Sequence, residues 1–174
     1  MKALVRIAFL ASVFALAACS QKTPTPLTQF SPADNSFSVM MRGAPTVKAL
    51  EANHAVNFNG GNSYVVQSDG RLYLASYFDY SVSPPGMHSD SLDRFRDMYV
   101  KGAKGQLISE ESVMLDGNTG RELIMKNPAG TVTRVRIFIK EKRAYIVAVE
   151  VRTDADAQAS AVIDYLNSFH ITET

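Results

Sequence analysis

Cysteine occurs once in this 174-residue chain and tryptophan not at all. A single cysteine excludes an intrachain disulfide, a CxxC redox pair and a multi-thiolate metal site, so the hydrophobic core must supply the stability. Histidine is scarce: His54, His88 and His170 fall in an expected strand, the loop before the first expected helix and the tail, and none has a recognisable nucleophile context. Neither a G-x-S-x-G elbow nor an S-x-x-K pair provides the setting a serine nucleophile needs. Charge is balanced, with 18 Lys+Arg against 17 Asp+Glu, and so carries no basic footprint for nucleic acid. No catalytic residue, cofactor or metal is expected from this inventory. Long apolar runs are missing as well, with one exception at the start.

That exception runs from Ile7 to Ala18, follows Met1, Lys2 and Arg6, and stops at Cys19. Basic start and short apolar stretch form a secretory signal, too short for the roughly 20 apolar residues a membrane-crossing helix needs. Leu16-Ala17-Ala18-Cys19 resembles the lipobox of bacterial lipoproteins, in which the cysteine thiol receives a diacylglycerol and becomes residue one. Residues 1–18 then read as a lipoprotein signal peptide and Cys19 as the lipid attachment residue, rather than as an incidental thiol behind an ordinary signal. Several acyl chains hold a protein stably to a bilayer where one holds it marginally. Ser20 stands where an Asp would favour the inner membrane in the bacterial sorting rule, so the resemblance implies the outer membrane, periplasmic side. Ser20 to Thr28 is polar and proline-bearing, which makes 19–29 a lipidated tether able to reach about 25 to 30 Å. Residues 30–174 are the right size for one domain.

Within that domain strand signals come first. Asn35 to Met41 alternates polar and apolar residues; Ala55 to Phe58 and Tyr64 to Gln67 flank a turn expected at Asn59-Gly60-Gly61-Asn62; and Asp69-Gly70 leads into a strand from Leu72 to Tyr80. Leu92, Phe95, Tyr99 and Ala103 then recur at helical spacing, predicting an amphipathic helix over Ser89 to Ala103 that Gly102 and Gly105 help to end. Four strands follow, joined at Asp116-Gly117-Asn118, Asn127-Pro128-Ala129-Gly130 and Glu141-Lys142-Arg143. A second helix is expected from Asp154 to about Asn167, capped by Thr153 or Asp154, with Ala159, Val162, Ile163 and Leu166 inward. The order predicts an α+β domain with a largely antiparallel sheet. Tyr145 to Val149 is apolar on both alternating sets and should lie centrally, covered on both faces.

Phe30-Ser31-Pro32 before Phe37-Ser38-Val39, Gly43-Ala44-Pro45, Asp116-Gly117 before Gly120-Arg121-Glu122, Arg134 to Phe138, Arg143-Ala144-Tyr145 and Leu166-Asn167-Ser168-Phe169 together resemble small exported PsbP-like domains. That resemblance spans about Phe30 to Ile171. It implies an α/β/α sandwich and a non-catalytic binding or assembly module.

Weaker constellations have plain structural readings. His88-Ser89-Asp90 with Asp93 lacks a second histidine, and acidic residues suit a helix start anyway. Met40, Met41, Met87, Met98, Met114 and Met125 form no Met-x-Met cluster and read as core filler. A hydrolase would need His88 or His54 beside Ser63, Ser76 or Ser89. Tyr77, Tyr80 and Met87 are the candidate lining of a small-ligand pocket near the Pro84-Pro85-Gly86 loop. With three-residue hairpin loops, Leu123 would face Val135, Ile137 face Val147, Glu122 face Arg136, Arg134 face Glu150 and Glu110 face Lys126. Glu122, Arg134, Arg136 and Glu150 are therefore a candidate charged recognition surface on an open sheet face, against the simpler reading of solvent-facing cross-strand pairs. The expected partners are the membrane, through Cys19, and an envelope protein.

Replacing Cys19 by Ala should abolish incorporation of an alkyne fatty acid and leave the protein soluble in the periplasm or uncleaved at its signal; a variant that still labels and still pellets with membranes contradicts the anchor.

Overall fold

The computed structural model describes residues 25–52, 58–80 and 89–172. The signal segment with Cys19, His54, His88 and Met87 lie outside the described residues.

Seven antiparallel strands make the main sheet, in the order β3 (Thr46–Leu50), β4 (Phe58–Ser68), β5 (Arg71–Tyr80), β9 (Arg143–Val151), β8 (Val132–Lys140), β7 (Asn118–Lys126) and β6 (Gln106–Leu115). Helix α1 (Ser89–Ala103) carries the chain from β5 across one face to the far edge. The meander β6 to β9 then walks back until β9 pairs with β5, which is why the doubly apolar strand is central. Ala144, Ile146 and Ala148 pack with Leu92 and Phe95 of α1, while Tyr145, Val147 and Val149 join the core on the other face. That second face is covered by a separate three-stranded sheet, β1 (Leu27–Phe30), β2 (Phe37–Arg42) and β10 (His170–Ile171), with helices α2 (Asp154–Ala157) and α3 (Ser160–Asn167). The α+β architecture with a largely antiparallel sheet is as the element order predicts.

Local departures have local causes. The domain begins at Leu27, inside the segment read as tether, because β1 pairs with β2. Gly60 and Gly61 do not form a turn: β4 runs through them with an irregularity between Phe58 and Gly60. A Cβ on Gly61 would stand 2.0 Å from the Tyr77 carbonyl oxygen, so glycine is there for close strand approach. Gly102 lies within α1, and Lys104 takes the left-handed conformation (φ 51°) that ends it, with the Gly105 amide donating to the Val100 carbonyl. The expected second helix is broken. Thr153 caps α2, its hydroxyl accepting from the Asp156 amide at 3.1 Å, and Ala159 is extended (φ −63°, ψ 141°) before α3 starts.

Register holds where the loop length holds. Leu123 faces Val135 and Glu122 faces Arg136. Glu141-Lys142 is a two-residue turn with Glu141 at φ 53°, so Ile137 faces Ile146, Arg134 faces Val149 and Thr133 faces Glu150. Asp116 (φ 47°) and Gly117 (φ 77°) also make a two-residue turn, and with an irregularity between Leu107 and Ser109 this sets Glu110 opposite Leu123 and Gln106 opposite Lys126. Phe37, Val39, Leu92, Phe95, Leu123, Val135, Ile137, Val147, Val149, Leu166 and Phe169 are all buried, as their spacing predicts. Met41 and Met125 are core filler, but Met98 and Met114 are exposed.

Phe169 is fully buried, with its ring centroid 5.1 Å from Phe37 and 6.2 Å from Tyr145. Phe169→Ala should cost about 3 to 5 kcal/mol in chemical denaturation; a loss below about 1 kcal/mol would show that this site is not the packing centre.

Candidate functional site

The charged residues singled out on the meander do not form an open surface. Glu122 is only 3% exposed. It sits beneath α2 and α3 and accepts hydrogen bonds from Arg134 and, through its other oxygen, from Arg136 Nε. Arg134 Nη1 continues to the Ala157 carbonyl (3.1 Å) and Gln158 Oε1 (2.8 Å), and Arg136 Nη1 to Asn167 Oδ1 (2.8 Å). Neither open recognition nor solvent-facing pairing describes this cluster; it fastens helices to the sheet. Glu150 is apart from it, on the opposite sheet face, accepting from the Thr131 hydroxyl at 2.9 Å.

The aromatic pair separates because successive side chains along a strand point to opposite faces. Tyr77 and Tyr80 are three positions apart on one strand, so Tyr77 belongs with the core under α2 and α3 while Tyr80 packs on Phe95 beneath α1. They cannot line one pocket. Burial pushes the Tyr80 phenol up to about 12.

Other candidate chemistry is already engaged. The hydroxyls of Ser63 and Ser76 bond each other at 2.8 Å in the core. Asp93 faces Arg121 (3.1 Å) and Arg96 (3.6 Å), within a network that also takes in Glu110 and Asp97. His170 Nδ1 lies 3.4 Å from Asp116 Oδ1, whose other oxygen accepts from the Ile171 amide and so ties β10 to the β6–β7 turn. Among the described residues no three His, Cys, Asp or Glu side chains converge as metal ligands.

A different arrangement stands at the β8–β9 turn. Arg143 Nε donates to Asp79 Oδ1 at 2.5 Å, Nη2 to Asp79 Oδ2 at 3.0 Å and Nη1 to Asp34 Oδ2 at 2.6 Å. Its guanidinium carbon lies 4.2 Å from the centre of the Tyr77 ring. Around it opens a polar groove of about 430 Å³, whose walls include Ser36, Tyr145 and Thr172 and whose rim carries Lys140 and Lys142. Partial burial works to raise the Asp34 carboxyl, but hydrogen bonds from Arg143 and Ser36 outweigh it and hold Asp34 below the ordinary carboxylate range. Burial works against the Arg143 charge, but hydrogen bonds and charge from Asp79 and Asp34 outweigh it and raise Arg143 above its ordinary value, so it stays charged. The groove therefore holds a fixed guanidinium already engaged by two carboxylates, with Lys140, Glu141 and Lys142 also in its lining, so three cations meet three carboxylates there. In sequence Arg143 reads only as part of a strand-joining tip and a fold motif; the usable signal is Asp79, a carboxylate inside the aromatic strand Tyr77-Phe78-Asp79-Tyr80.

The whole arrangement is similar to cyanobacterial PsbP (CyanoP) from Synechocystis sp. PCC 6803, with a TM-score of 0.56, 13% sequence identity and coverage of 90% of this chain and 99% of that one. The fold is PsbP-like. At that identity the likeness speaks for the fold alone. A protein of unknown function from Pseudomonas aeruginosa aligns over 85% of this chain and 99% of its own at 10% identity and a TM-score of 0.48. No protein-family model matches the chain, and no curated protein matches it in sequence. On this PsbP-like fold the groove is built from β5, the β8–β9 turn and the residues leading into β2.

Because the Asp34 pKa is depressed in the fold, its ion pair adds stability above the unfolded-state carboxyl value of about 3.9 and loses that contribution as pH falls through the lower folded value. Asp34→Asn should lower the melting temperature at pH 7, with the difference from the parent closing as pH falls toward about 3; a gap that stays constant contradicts the ion pair.

Proposed function

We propose that this chain is a non-enzymatic, lipid-anchored module on the periplasmic side of the outer membrane, where it binds an envelope protein or supports its assembly. The groove around Arg143 carries the reading. It presents a pre-ordered cation whose carboxylate partners fix its direction, and the alternating charges of Lys140, Glu141 and Lys142 beside it suit a partner segment of complementary mixed charge. The lipobox-like Leu16-Ala17-Ala18-Cys19 and the polar tether support the location, since they hold the domain within about 30 Å of a bilayer surface. Engagement of Ser63, Ser76, Asp93, Glu110 and Glu122 in internal bonds supports a binding role over a catalytic one.

A photo-reactive amino acid at position 142, activated in cells, should give a discrete crosslinked species that a Lys140→Glu, Glu141→Lys, Arg143→Gln variant carrying the same probe loses by about tenfold or more. Crosslinking that is absent, or equal in that variant, contradicts this groove as the docking site.

A further inference from the structure

A second cavity, of about 460 Å³, lies between α3, β2 and β5, away from the Arg143 groove. Its walls include Leu27, Met40 and Ala161 and the tyrosines Tyr73 and Tyr165, with Arg42 also in the lining. The tyrosines are 2% and 3% exposed, and their rings meet edge to face at 4.9 Å. Neither phenol oxygen has a hydrogen-bond partner. An unpaired buried hydroxyl costs free energy that phenylalanine at the same position would avoid. This core does use phenylalanine close by, at positions 37, 138 and 169. Two neighbouring orphan donors in the lining of one cavity therefore ask for an acceptor.

The surroundings describe that acceptor. Burial drives the Tyr165 phenol far above its ordinary value, so it remains an O–H donor. The cavity runs along α3 from Ser160 to Ser168, and the N-cap, Ala159, provides no side-chain acceptor; the Val162 amide donates to the Ala159 carbonyl at 2.9 Å, which leaves the Ser160 and Ala161 amides as further donors. Arg42 supplies a positive charge; its Nη1 donates to the Thr25 carbonyl at 3.2 Å and its Nε lies 3.7 Å from Asp69. Leu27, Met40 and the two tyrosine rings supply apolar contact. Asp164 also borders the cavity and opposes an anion there.

We infer that this cavity binds a small amphipathic monocarboxylate, its apolar body against Met40, Leu27 and the tyrosine rings and its carboxylate accepting from the tyrosine hydroxyls and the start of α3. Both hydroxyls are covered in this structure, so binding requires a lining side chain to move aside, and Met40, unbranched, is the lining residue best suited to repack. The site is independent of the protein-docking groove. Asp164 limits affinity, and its removal strengthens binding.

The test titrates the full chain with 3-phenylpropionate, using the neutral alcohol 3-phenylpropanol, of the same carbon skeleton, for comparison, and follows tyrosine-selective NMR signals together with binding heat. The carboxylate should shift Tyr73 and Tyr165 and bind about tenfold or more tightly than the alcohol. A Tyr73→Phe, Tyr165→Phe double variant should keep or raise its melting temperature, because orphan hydroxyls are gone, yet lose about tenfold or more in affinity. Asp164→Asn should bind more tightly and Arg42→Gln more weakly. Unshifted tyrosine signals at about 10 mM probe, equal affinity for acid and alcohol, or unchanged affinity in the double variant would each overturn the inference.

Discussion

Glu122 is one buried carboxylate shared by two arginines, and much of the layer over the second sheet face hangs on it. Arg134 and Arg136 lie two residues apart on β8 and so point to the same side, where Glu122 on the neighbouring strand accepts from both. A charge this deep is tolerable only when it is paired and hydrogen-bonded, and removal of one partner leaves the others uncompensated. Each arginine has donors left over. Arg134 spends them on the last carbonyl of α2 and on Gln158, and Arg136 on Asn167 at the end of α3. The capture of the Ala157 carbonyl by Arg134 accompanies the break between α2 and α3, since that carbonyl then needs no continuing helix to satisfy it.

The long periodic signals were legible because they follow from burial alone. Leu92, Phe95 and Tyr99 define the α1 face, and the two-sided apolar pattern of Tyr145 to Val149 correctly implies a central strand. What misled was loop length. Two-residue turns at Asp116-Gly117 and Glu141-Lys142 replace three-residue loops, and a shift of one residue moves Glu150 to the face opposite Arg134. Nor does alternation reveal that β1, β2 and β10 leave the main sheet, because the pattern of one strand is the same in either sheet. Polar residues were harder still. Glu122 reads as a surface charge in sequence, and only the packing of α2 and α3 over β7 and β8 buries it.

The candidate sites follow from this layering. Opposite strand faces divide Tyr77 from Tyr80, which leaves Tyr77 to support Arg143 at one end of β5, while Tyr73 on the same face joins Tyr165 under α3 toward the other end. Placement of α3 thus shapes one cavity directly, and the strand order that makes β9 neighbour to β5 brings Arg143 against Asp79. Both candidate sites on this PsbP-like fold are assembled from side chains that the sheet faces sort, not from a local motif.

Amide hydrogen exchange compared between the parent and a Glu122→Gln variant tests the shared-carboxylate account most directly. The account predicts faster exchange through α2, α3 and β10, with α1 and the β4–β5 hairpin protected as in the parent. Exchange that rises uniformly over the chain, or does not change over α3, would contradict it.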